Sequence, residues 1–173
     1  HQVLSEDIAF AIEDHYKPRF AGDALPRNAV GTVVALADKL ETLAGMFGIG
    51  NLPTGDKDPF ALRRHALGVA RMLIEGGLPL QFHELTRLAF SVFANGKLQD
   101  TVVQLDEFLI ERLKGYLKDS GYSVPEVDAA LYARQLGFWS TVPRRLAAVR
   151  EFQALPEAPA LAAANKRIGN ILK

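Results

Sequence analysis

Apolar residues recur at helical spacing along nearly the whole of this 173-residue chain. In an α-helix, residues three and four apart share one face, so such spacing buries one stripe and leaves the other side polar. Val30, Val33, Val34, Ala37, Leu40, Ala44 and Phe47 form the widest stripe, which predicts a central helix over 29–47. No segment alternates with period two for long. YSV is too short for a strand, and GTVVAL sits in a helical context. The fold class is therefore all-α, a multi-helix bundle of about eight helices.

Proline and glycine punctuate the pattern. The first helix is expected over 5–16, with Ile8, Ala11, Ile12 and His15 on one side and Pro18 ending it. The third is expected over 59–75: Asp58 caps it, Pro59 takes the first helical position, and Gly76-Gly77 stops it. Further helices are predicted over 82–94, over 101–118 with Leu105, Phe108, Leu109, Arg112 and Tyr116 on one stripe, over 125–135, over 143–153, and from 161 onward. Asn95-Gly96 marks a turn, and a soft boundary there divides 1–97 from 98–173.

The absence of cysteine excludes disulfides, thiolate metal sites and cysteine nucleophiles. No apolar run approaches the roughly 20 residues that cross a bilayer, so no membrane partner is expected. Net charge is zero but uneven: seven acidic residues face three basic ones over 99–128, and seven basic face two acidic over 134–173. Local sign matters more than the total for binding a polyanion. The chain opens at His1 without Met and stops inside a helical pattern, which reads as a piece of a longer protein.

Few residues suggest chemistry. The four histidines do not cluster, and His15 and His83 sit at helix ends, where a carbonyl or carboxylate is the usual partner. GMFGIGNLPTG lacks the Gly-Lys-Ser/Thr ending and the preceding strand of a phosphate loop, so it reads as a connection between helices. Arg64 and Arg71 are seven apart on one helical face, with Arg63 beside them, and such guanidinium groups can contact consecutive phosphates. The competing reading is an exposed solvated face, or pairing with Asp56, Asp58 or Glu75. Asn165, Lys166 and Arg167 lie in ALAAANKRIGNILK, a combination that suits phosphate, ribose or base-edge contacts. Helix capping and charge complementing the helix dipole are the alternative. Trp139 in LGFWSTVP is either a core plug or, with Phe138, a base-stacking platform.

Asp38 stands in the middle of the most apolar helix, where a carboxylate must be exposed, hydrogen-bonded or cation-bound. An Ala-Asp pair in such a helix resembles the last metal-binding Asp of the HD phosphohydrolase superfamily. That site also needs a His and a His-Asp pair upstream, yet only His1 and His15 precede Asp38 and neither is followed by Asp. A lone carboxylate cannot hold a divalent ion usefully. The expectation is no metal site and a degenerate HD-like region, truncated on its N-terminal side.

Three long strings in order, AIEDHYKPRFAGDALP, GTVVALADKLETLAGMFGIGNLPTGDKDPFALRRHALGVARML and LAAANKRIGNIL, resemble the β subunit of the bacterial two-subunit glycyl-tRNA synthetase. Glu41 and His65 are mild departures from that family's pattern. The resemblance implies an internal, C-terminal-half portion of β: an HD-like region at 1–97, then a helical segment at 98–173 leading toward an anticodon-binding domain. It implies cytoplasmic location, an α/β hetero-oligomer, and tRNA(Gly) and the α subunit as partners. Glycine activation with ATP and Mg would lie on the α subunit, with no catalytic residue or cofactor in this chain. Arg63, Arg64, Arg71, Asn165, Lys166 and Arg167 would then contact tRNA. A phosphohydrolase relic around Asp38 and a purely structural scaffold remain the alternatives.

Overall fold

A computed structural model describes residues 5–94, 96–132 and 137–171. Among them are eight α-helices: α1 (Glu6–Asp14), α2 (Ala29–Gly48), α3 (Leu62–Glu75), α4 (Phe82–Ser91), α5 (Val102–Asp119), α6 (Val124–Leu131), α7 (Val142–Gln153) and α8 (Ala158–Ile171). A short 3₁₀ turn, Trp139–Thr141, precedes α7. No strand forms among the described residues; Thr54–Lys57 and Gln81–Phe138 pair only as isolated bridges. The predicted all-α bundle is thus the observed one. The expected turn at Asn95 and the expected end of the sixth helix at 133–135 lie outside the described residues.

α2 is the hub and packs against α1, α3, α4 and α5. Asn28 starts it by accepting from the Gly31 N–H at 2.8 Å. The buried face is Ala35, Leu36, Leu40, Leu43, Ala44 and Phe47. Val30, Val33 and Val34 are exposed, contrary to the predicted stripe, and so is Ala37. The physical reason is that α2 is apolar almost all round, so periodicity alone could not choose which arc the other helices cover.

One core joins both halves of the chain. Leu43, Leu73, Phe82, Leu109, Trp139 and Leu146 all belong to it. Trp139 is fully buried and stacks on Phe82 with ring centroids 4.6 Å apart, so the core-plug reading of this residue holds.

Buried ion pairs fasten the periphery. Asp14, wholly buried, accepts from the Arg27 backbone N–H at 2.9 Å and from its Nε at 2.8 Å, and Lys17 Nζ lies 2.9 Å away. Arg27 also bonds Glu13, so the end of α1 is tied to the start of α2. The Arg27 guanidinium holds the Asp14 carboxyl well below the usual carboxylate range. At the far end, Glu126 closes a capping box with Ser123 and accepts from Arg150 Nε at 2.7 Å, joining α6 to α7.

α3 ends as its glycines predict. Gly77 has φ of 62°, and the Leu78 N–H reaches back to the Leu73 carbonyl at 3.1 Å, a Schellman closure that only a residue without Cβ forms cheaply.

Candidate functional site

The start of α3 carries the arginines. Asp58 does cap this helix: its Oδ1 accepts from the Leu62 N–H at 2.8 Å and its Oδ2 from the Arg63 N–H at 2.9 Å. The helix nevertheless begins at Leu62 and not at Pro59, because Ala61 takes a left-handed conformation with φ of 54° and breaks the helical run. Arg63 and Arg64 therefore sit in the first turn, at the positive end of the helix dipole. Cations there are disfavoured by a few tenths of a kcal/mol, and the Asp58 carboxylate that caps the turn offsets part of this.

Arg63 is half-buried and its Nη2 donates to the Gly55 carbonyl. Arg64 is exposed, and its side chain makes no hydrogen bond or ion pair among the described residues. Both line an open cavity of about 520 Å³ between α3 and α5, together with Arg112, Tyr116, Asp119 and Ser120. Arg112 is half-buried, its Nε is buried without a hydrogen-bond partner, and its guanidinium lies 5.7 Å from the Phe108 ring centroid. Three guanidinium groups and one carboxylate, Asp119, thus line this groove. Arg112 was legible only as a member of the apolar stripe of its helix; its spacing from Phe108 and Tyr116 was the available signal.

Arg71 is a correction. It is 6% exposed. Its Nε and Nη2 bond Glu75 at 2.6 and 2.9 Å, and its Nη1 donates to the Phe20 carbonyl at 3.1 Å. Tyr116 on α5 donates to the same Glu75 at 2.9 Å. Arg71 shares a helical face with Arg64, but the loop bearing Phe20 and the side of α5 cover that face at residue 71. It joins three elements internally and offers nothing to an outside phosphate.

Asn165 and Arg167 are exposed on α8, while the side chain of Lys166 lies outside the described residues. α8 packs against α7, and α3 packs against α2 and α5, so separate elements hold the two candidate groups. Asp38 is half-buried on α2 and forms no hydrogen bond or ion pair among the described residues. No group of three or more His, Asp or Glu able to hold a metal comes together among those residues. His15 Nδ1 donates to the Ile12 carbonyl at 2.7 Å and His83 Nδ1 pairs with Asp106 at 2.8 Å, the partners their helix-end positions predicted.

Fold and groove together define a helical domain that shows cations along one seam. Comparison with known proteins specifies it further. Residues 1–132 match the family model described as glycyl-tRNA synthetase beta subunit. A glycine–tRNA ligase beta subunit of Polaromonas naphthalenivorans is 66% identical over the whole of this chain and 24% of its own length. Those of Thiobacillus denitrificans and Methylobacillus flagellatus are 62% and 61% identical, again over the whole chain and 24% of their length. The chain belongs to the glycyl-tRNA synthetase beta subunit family and spans about a quarter of the length of these relatives.

Proposed function

We propose that this chain supplies tRNA-backbone contacts within the beta subunit of a cytoplasmic two-subunit glycyl-tRNA synthetase. Its partners are tRNA(Gly) and an α subunit that activates glycine with ATP and Mg; no residue of this chain takes a catalytic role. Family membership supports the setting. The groove of Arg63, Arg64 and Arg112 is the observation that carries the contact itself, because clustered guanidinium groups with spare donors suit phosphate oxygens. Asn165, Lys166 and Arg167 form a second proposed contact on α8.

The test is a double charge reversal, Arg63→Glu with Arg112→Glu, in the full-length protein assembled with its α partner. We expect tRNA affinity to fall roughly tenfold or more, and the slope of log K against log salt to flatten by about 0.7–0.9 for each phosphate no longer neutralised. Unchanged affinity together with an unchanged slope overturns this reading.

A scaffold role has one specific observation in its favour, the internal Arg71–Glu75 pair. Arg112 tells against it, since its Nε is buried without a hydrogen-bond partner.

A further inference from the structure

Lysine is seldom buried unless paired, because an ammonium loses its hydration on entering a protein. Lys39 is 3% exposed on the hub helix α2. Its stem crosses α3 at Gly68, where a Cβ would lie 2.6 Å from the lysine Cε and 2.9 Å from its Cδ. α3 has no side chain at the one place where this lysine passes. An ammonium carries three N–H donors. The Tyr16 carbonyl, 3.1 Å away, is the one hydrogen-bond acceptor of Lys39 among the described residues.

The lysine lines a cavity of about 300 Å³, at the lower end of small-molecule sites. The other walls are Tyr16, Pro18, Arg19, Ala61, Arg64 and His65. Arg64 has no internal partner among the described residues. His65 has a buried Nδ1 without a hydrogen bond. Arg19 is held by Asp23 at 2.7 Å but keeps an exposed side chain. No carboxylate lines the wall. Asp38 and Asp23 act on Lys39 only through space, and Asp38 and Asp58 act likewise on His65. Burial pushes both the Lys39 amine and the His65 imidazole down, and the charge of Lys39 depresses His65 further.

A metal ion would meet the wrong sign here, and an apolar ligand would leave the ammonium unsatisfied. A phosphate group answers both, with up to two negative charges and oxygens pointing several ways. We propose that this cavity binds a single phosphate group, with Lys39 as the buried anchor and Arg64 closing it from the solvent side. The site stands apart from the tRNA groove, shares only Arg64 with it, and does not depend on the tRNA reading.

The experiment uses the full-length protein in phosphate-free buffer with inorganic phosphate as the probe. Thermal unfolding and ³¹P line width are read against chloride at matched ionic strength. We expect the Tm to rise and the phosphate resonance to broaden with phosphate and not with chloride. Lys39→Met should match or exceed the wild-type Tm without phosphate, since it removes a buried charge, and should lose the phosphate-dependent rise. Arg64→Gln, an exposed change that leaves packing alone, should weaken phosphate at least tenfold and serves if the lysine variant does not fold. No phosphate effect beyond chloride, or an undiminished effect in either variant, overturns the site.

Adding saturating tRNA identifies the source. Displacement of phosphate assigns the site to a nucleic-acid backbone phosphate, and retention assigns it to a small soluble phosphate; either result upholds it. Arg112→Gln, which lies outside this cavity, should leave the phosphate effect intact, so the two ideas can fail separately.

Discussion

Arg71 and Arg64 share a helix, a face and a side-chain type, yet one is internal and the other free. The difference comes from Phe20, 51 positions earlier in the chain, whose carbonyl accepts from Arg71. Nothing in the local pattern of α3 reports that loop. Arg71→Met should therefore cost about 2–4 kcal/mol in urea unfolding, because the Phe20 carbonyl loses its donor and Glu75 loses its cation, keeping only the Tyr116 hydroxyl. The same substitution should leave the salt slope of tRNA binding unchanged, which separates its structural role from the one proposed for Arg112. Asp58 shows the opposite case. Its cap on α3 was legible in the sequence because capping is local, and only the left-handed turn at Ala61 displaced the helix start.

Among the elements, helix existence was readable nearly everywhere and the choice of buried arc was not. α2 is apolar on more than one side, and three valines expected inside lie on the surface. Val33 and Ala37 instead border an apolar trough with Leu80, Leu85, Leu88 and Val92 of the α4 region. α8 gives a sharper test. Ala158 is its one buried residue among those described, while Leu161 and Ile168 are 55% and 56% exposed. Ending the chain at residue 157 should lower stability by less than about 1 kcal/mol, measured by chemical denaturation. If Asn165, Lys166 and Arg167 contact tRNA as proposed, changing all three to Ala in the full-length protein weakens tRNA binding while the domain stays folded.

The molecule as a whole is neutral, so its electrostatics are a matter of arrangement. Its most buried carboxylates are held in internal pairs. Arg27 depresses Asp14, Arg19 depresses Asp23, and Arg150 brings Glu126 down to about 2. A carboxyl depressed on folding lends stability that is complete above its ordinary value, 3.8 for Asp and 4.5 for Glu. That stability drains away as the pH drops through the folded value. The urea midpoint should accordingly decline gently from pH 7 to about 5, as the unfolded chain protonates the His65 that folding holds neutral, and then fall steeply toward pH 2. Asp14→Asn should lower the midpoint at pH 7 and flatten the acid decline, and an equally steep decline in that variant would remove Asp14 from the explanation. Carboxylates and cations share the exposed surface, but in the groove between α3 and α5 Arg63, Arg64 and Arg112 meet only Asp119. Composition could not show this, because it counts charges without saying which ones cancel in place. Trp139 has a consequence of its own. It is the sole tryptophan and sits sealed against Phe82, so the chain holds a single indole chromophore at its centre. Its emission will redden only when solvent reaches the middle of the bundle, which makes it a built-in optical gauge of global opening.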